Sequence, residues 1–260
     1  MSVNQIKFIK KYKLNKRLVF ITQISIILGF IVIWELLARL EIINTFIFSS
    51  PTDILKTLIS LFKNNNIFLH IWTTLYETLL SFSICTVLSI LIAIILYKSS
   101  FLAKVFDPYL TLLGSLPKVA LGPIIIIWMG ANIKSIITMA ILISIIISIQ
   151  NIYNGFINTD KNKIKLLKTF NASNKDILFK VVIPSNLSVI INTLKINISM
   201  CLVGVIMGEF LTSKAGIGYL ILYGSQVFNL NLVMTGIVLL LVISIILYKA
   251  IILIEKRLVN

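Results

Sequence analysis

The chain is punctuated by apolar runs each long enough to cross a membrane as a helix: 18–40, 67–97, 109–129, 133–152, 187–207 and 232–254. About 20 residues span a hydrocarbon core of about 30 Å, and inside it every backbone N–H and C=O needs a partner within the segment. The period-two alternation of a barrel is absent, so the expected fold is all-α: a polytopic bundle with about six transmembrane helices. The chain is 58% hydrophobic, whereas soluble domains are roughly 45–50% apolar.

A formal net charge of +15 invites a nucleic-acid reading, but the basic residues sit in loops beside the spans, where positive charge records topology. Lys7, Lys10, Lys11, Lys13, Lys16 and Arg17 precede the first run. Lys98 and Lys104 follow the second, a cluster follows the fourth, and Lys249, Lys256 and Arg257 close the sixth. Only Arg39, Lys56, Lys63, Lys134 and Lys214 then face the other side, while Lys118 and Lys195 lie near inner span ends and can snorkel. This predicts a multi-pass protein of the cytoplasmic membrane with both termini inside. The first run exceeds a signal-peptide core of roughly 7–15 residues and lacks a small-x-small cleavage site, so it is expected to be retained.

Soluble chemistry finds little support. His70 is the only histidine, and Cys85 and Cys201 lie unpaired in apolar runs as small buried hydrophobes. No catalytic constellation and no metal set is expected. No G-x-x-x-x-G-K-[ST] loop is present, so the chain is not expected to hydrolyse ATP.

Two segments depart from the spanning pattern. Ser50-Pro51-Thr52-Asp53 opens a short amphipathic helix carrying Ile54, Leu55, Leu58, Leu61 and Phe62, ended by Asn64-Asn65-Asn66 and lying on the outer membrane surface or the bundle. The third span, following a short loop closed by Asp107-Pro108, is interrupted by Pro117 and Pro123, which makes it either a pore-lining element or a kinked packing helix. Glu209, at the outer end of the fifth span, reads as a gate or pathway residue or as an acid bonded to loop amides. Gly204 and Gly208 form a G-x-x-x-G that suits a dimer contact or internal packing equally.

The one long polar interruption is 158–184. Asp160 can cap a helix over 161–170 whose apolar face is Ile164, Leu167 and Phe170, and Asn171 stands where a left-handed residue is wanted. Ser173 with Asp176 makes a capping box for a second helix carrying Ile177, Leu178, Val181 and Val182, stopped by Pro184. The result is a helix-turn-helix with an exposed apolar stripe edged by lysine, which acidic lipid or a partner groove would explain equally well.

Here a resemblance enters. The segment resembles the cytoplasmic coupling loop, or EAA loop, of binding-protein-dependent ABC importer permeases, whose pattern is EAA, three residues, Gly, nine residues, then I-x-L-P. Val181, Ile183 and Pro184 match its end and Asn171 stands at the glycine; Lys165-Leu166-Leu167 departs from EAA entirely. Ser49-Ser50-Pro51-Thr52, the proline-rich 115–123, and Gly208-Glu209-Phe210 with Gly216-Ile217-Gly218-Tyr219 are similar to the nitrate, sulfonate and taurine type, in the family's order.

The resemblance implies one permease domain over 1–260, with a leader and first span at 1–47, a core at about 67–254 and a coupling loop at 158–184. The ATPase-coupling residues would be Ile164, Lys165, Leu167, Phe170, Asn171, Ala172, Ser173, Asp176, Ile177, Leu178, Val181 and Pro184; Pro117, Pro123 and Glu209 would line or gate the pathway. It also implies a second permease copy in a homodimer, a cytoplasmic ATPase dimer that alone carries ATP-Mg, an extracytoplasmic substrate-binding protein, surrounding lipid, and no cofactor in this chain. The solute would be small, anionic or like a vitamin precursor. The rivals are a secondary transporter or channel, for which Glu35, Glu77 and Glu209 are the only intramembrane acids on offer, and a lipid-modifying membrane enzyme.

Overall fold

The computed structural model describes residues 3–64 and 66–258 and holds only helices and their connections there. The side chains of Lys7, Lys10, Lys11 and Lys13 in the basic leader, and Asn65 in the triplet ending the amphipathic helix, lie outside the described part.

In order, the helices are α1 (Val3–Arg39), α2 (Thr45–Phe48), α3 (Pro51–Lys63), α4 (Asn66–Lys98), α5 (Ser100–Ser115), α6 (Gly122–Met129), α7 (Ile133–Ile157), α8 (Lys161–Thr169), α9 (Asn174–Ile177), α10 (Ile183–Ser185), α11 (Leu187–Thr212), α12 (Ile217–Gln226) and α13 (Leu230–Leu258). A 3₁₀ turn (Lys118–Leu121) leads into α6, and a π stretch (Leu178–Val182) joins α9 to α10. Helices α1, α4, α7, α11 and α13 each contain a segment long and apolar enough to span, and α5 with the Lys118–Met129 segment, taken together as one broken span, would bring the number to six. The architecture is the all-α polytopic bundle that run length predicts.

Its centre is α7, packed most extensively on α11 and α4. The small residues of α11 permit that approach: a Cβ on Gly204 would overlap the Ala140 backbone, and one on Gly208 would stand 2.9 Å from Ile136 Cα. The G-x-x-x-G is thus filled by α7 of the same chain. A second apolar cluster joins Ile67 of α4, Ile191 and Ile198 of α11, Ile217 of α12 and Leu239, Ile243 and Leu247 of α13.

The amphipathic helix forms as α3. The Ser50 side chain accepts the Asp53 N–H, Pro51 occupies the first turn, and Ile54 turns inward while Leu55 and Ile59 stay exposed. The Lys56 ammonium and the Ser50 hydroxyl beside Asp53 hold its carboxyl below the usual carboxylate range. Helix α3 packs on α13 and α4, and Ser49 Oγ donates to Asn231 Oδ1 at 2.7 Å. The apolar stretch of α1 is not buried within the chain. Glu35 ties its end to α3 by accepting from Thr52 N and Oγ1, both at 3.1 Å, and from Arg39 at 2.7 Å; this acid holds two helices together.

The third span differs from expectation. No loop closes at Asp107-Pro108: Ser99 Oγ accepts the Leu102 N–H, so a new helix starts directly after α4 and carries Pro108 in its interior. The break falls between Ser115 and Lys118, at Pro117 as expected, where the two halves bend by 87°, while Pro123 sits in the first turn of α6 and does not interrupt it. Lys118 Nζ caps the broken end by donating to Gly114 O at 3.1 Å.

Candidate functional site

The segment after α7 is built by local hydrogen bonds. Asp160 accepts the Asn162 N–H at 2.8 Å and starts α8. The helix ends in a Schellman arrangement, with Ala172 N donating to Leu167 O at 3.1 Å and Asn171 N to Lys168 O at 3.0 Å. Asn171 has φ 53°, the left-handed conformation that asparagine tolerates best after glycine. Ser173 and Asp176 then form the reciprocal capping box that opens α9.

The Lys180 ammonium, 2.6 Å from Asp176, and the Ser173 hydroxyl hold the Asp176 carboxyl down at about 2. A depressed carboxylate adds stability above its unfolded value of about 3.9, and that stability is lost as pH falls through the folded value. The stability difference between wild type and Asp176→Asn is therefore expected to be present at pH 5 and to shrink steadily towards pH 2. Thermal unfolding in detergent across that range checks it; a constant difference would show that the ion pair contributes nothing.

The apolar stripe does not face outward as a unit. Ile177, Leu178, Val181 and Val182 are buried, and Ile177, Leu178 and Val182 pack with Ala93 of α4, Ile152 and Phe156 of α7 and Ile190 of α11; Ile164, Leu167 and Ala172 border the same cluster. The stripe covers the apolar end of the bundle beneath it, which the sequence alone does not reveal. What the segment presents instead is Phe170 at 76% exposure, Phe179 at 60% and Leu166 at 57%, with Lys165 exposed beside them. Of these, Leu166 and Phe179 fall off the helical stripe and carry no sequence signal.

Pro184 is not the stop. The helix runs through it to Ser185, because the preceding turn is π-helical and pairs Ile183 N with Leu178 O, and the break comes at Asn186. Asn186 Nδ2 donates to Val182 O at 2.8 Å and to Thr159 Oγ1 at 2.7 Å, joining the entrance and exit of the segment. No motif marks Thr159 or Asn186, which read as ordinary polar flanks.

At the opposite end of the bundle, α12 folds back against α13, α11 and α4 as a ten-residue helix where sequence reasoning placed only a loop. Glu209, fully enclosed, holds its first turn: Oε2 accepts the Gly218 N–H at 2.5 Å and Oε1 accepts the Thr74 hydroxyl at 2.6 Å. Thr74 Oγ1 also accepts the Ile217 N–H at 2.8 Å, and His70 Nδ1 accepts the Gly216 N–H at 3.1 Å while its ring stacks on Tyr219. The Glu77 carboxyl, also buried, lies against that of Glu209. Gly216, at φ 109°, is required here, because a Cβ would run into the Glu209 carboxylate.

Pro117 and Pro123 share the broken α5–α6 element and are both exposed, whereas Glu209 points into the α4–α11–α12 junction. Between the two ends, the thiols of Cys85 and Cys201 are buried as expected, but each meets the Ser144 hydroxyl, at 3.1 and 3.2 Å.

Comparison with known proteins agrees with this architecture. Residues 85–260 match the family described as "Binding-protein-dependent transport system inner membrane component". A probable ABC transporter permease protein of Haemophilus influenzae is 28% identical over 85% of this chain and 89% of its own length. The formylaminopyrimidine transport permease ThiX of Halalkalibacterium halodurans is 27% identical, covering 72% and 74%. The putative aliphatic sulfonates transport permease SsuC of Bacillus subtilis is 24% identical, covering 88% and 83%. In fold, the chain resembles the inward-facing MetNI methionine ABC transporter, with TM-score 0.64 at 17% identity, over 73% of this chain and 94% of that one. With the family model matching well over half its length, the chain belongs to the inner membrane components of binding-protein-dependent transport systems, the permeases of ABC importers.

Proposed function

We propose that this chain is a single permease domain that pairs with a second copy to form the translocation pathway for a small solute, anionic or like a vitamin precursor. An extracytoplasmic binding protein delivers the solute, and a cytoplasmic ATPase pair holding ATP-Mg drives the cycle. The formylaminopyrimidine and aliphatic sulfonate transport for which ThiX and SsuC are named support this solute class.

The observation that carries the proposal is how segment 158–184 is mounted. Ile177, Leu178 and Val182 weld it to α4, α7 and α11, while Phe170 and Phe179 project from it. A displacement applied at the two phenylalanines is therefore passed to the three central helices as a rigid motion, which alternating access requires. Lys165, Asn171, Ala172, Ser173, Asp176 and Pro184 keep the lever's shape and rim. Pro117 and Pro123, at the broken element, line the pathway between the two copies. Glu209 acts on the gate indirectly, by fixing α12.

The test is co-purification with the cognate ATPase. Burial of an exposed aromatic side chain contributes about 1.5–3 kcal/mol, so Phe170→Asp combined with Phe179→Asp should reduce ATPase retention and uptake more than tenfold. Neither side chain is buried in the bundle, so membrane levels of the variant should stay near wild type. Normal co-purification and uptake by the double variant would sink the proposal.

A further inference from the structure

Where α4 ends, its last turn meets α8 and α9 around a cleft of about 520 Å³. Lys98 of α4, Lys168 of α8 and Lys175 of α9 all line it. The other polar groups there, the Tyr97 hydroxyl and the Asn174 amide, can both donate, and no carboxylate reaches the lining. Asp176, the acid next to Lys175 in sequence, is committed to Lys180 and Ser173. Among the described residues, none of the three lysines has an ion-pair partner.

Lysines on a solvated face ordinarily point apart, where their repulsion is screened. Here three helices direct them to one concavity, so the cleft is a cationic cup without a counter-charge. Its floor is apolar, formed by Ile164 and the buried Ile177. It also lies at the terminus of the spanning segment Ile67–Lys98, the level at which lipid headgroups stand. Free phosphate would satisfy the lysines but not the apolar floor; an anionic phospholipid satisfies both.

We infer that this cleft binds the phosphate headgroup of an anionic phospholipid, clamping it between the end of α4 and the two helices of segment 158–184. With the segment read as the coupling lever, the bound lipid braces the lever against the bundle, so the inference deepens the proposed function.

The test uses the full chain purified in detergent, with bound lipid counted by native mass spectrometry after exposure to phosphatidylglycerol or phosphatidylcholine. Each lysine at an anionic lipid surface contributes roughly fivefold in binding. The triple variant Lys98→Gln, Lys168→Gln, Lys175→Gln should accordingly retain at least tenfold less phosphatidylglycerol than wild type. The control Lys161→Gln, Lys163→Gln, Lys165→Gln removes equal charge outside the cleft and should retain it within twofold. Equal loss in the control would reduce the effect to general charge attraction and overturn the inference. So would equal retention of the two lipids by wild type, or displacement of the lipid by millimolar inorganic phosphate. Because this readout needs no ATPase, failure of the docking proposal in the Phe170 and Phe179 variants leaves it unaffected, and the two can fail separately.

Discussion

Gly204→Ala should lower the thermal unfolding temperature of the detergent-solubilised protein by several degrees, and Gly204→Leu should leave little monodisperse protein. Alanine gains up to about 1 kcal/mol over glycine in helix propensity. Against that, the added methyl overlaps the backbone of Ala140 on α7, which cannot rotate away as a side chain could. Overpacking of this kind costs about 1–3 kcal/mol when helices must separate to relieve it, and more for leucine. The contact therefore outweighs the propensity. Gly29→Ala in α1 is the control, since a methyl there meets nothing within 4 Å and should be neutral or slightly stabilising. Fluorescence-detected gel filtration over a temperature ramp gives both results. Should Gly204→Ala prove as stable as wild type while losing only self-association, the glycine stripe would serve a dimer contact after all.

Glu209→Leu is the second large effect expected. The carboxylate accepts from the Gly218 amide and the Thr74 hydroxyl inside the bundle, and both donors would be stranded. A buried group left without its partner costs about 1–3 kcal/mol, more where the lost acceptor is charged. For the two donors the sum is about 2–6 kcal/mol, which reaches the lower end of the roughly 5–15 kcal/mol net stability of a typical domain, so α12 should come loose and the folded yield fall sharply. Glu209→Gln keeps one acceptor oxygen and should fall between the two. Gly216→Ala should resemble Glu209→Leu, because it both strains a φ of 109° and pushes the carboxylate out of place. Limited proteolysis near 213–229 together with the unfolding temperature separates the outcomes. A stable Glu209→Leu protein that merely fails to transport would return Glu209 to the role of a pathway residue.

Much of segment 158–184 was legible residue by residue. The Asp160 cap, the left-handed Asn171 and the Ser173–Asp176 box are settled by atoms two to five positions apart, and so is the Ser50 cap that opens α3. Run length likewise fixes how many helices can cross, because hydrocarbon thickness is set by the lipid and backbone groups must be satisfied locally. The family pattern at Val181, Ile183 and Pro184 could be seen although Lys165-Leu166-Leu167 replaces its EAA.

What the sequence could not determine is which surface meets which. Lipid-facing and helix-facing surfaces are equally apolar in a membrane chain, so hydropathy does not say that Ile177 and Leu178 turn inward while Phe170 and Phe179 stay out. Nor does it say that Gly204 meets Ala140 rather than another copy. The tight fold-back of α12 depends on Glu209 reaching across from α11 to amides nine residues later and to Thr74 on a third helix. The run of helix through Pro108, in place of a loop there, rests on Ser99 restarting the helix directly after α4, whereas the 87° break falls at Pro117, where the sequence already interrupts the span. The sequence by itself determined the membrane-spanning helical class, the caps and the turn, because those follow from local hydrogen bonding and lipid thickness; tertiary structure alone decided the inward stripe, the glycine contact and the enclosed carboxylate, because each requires partners far away along the chain.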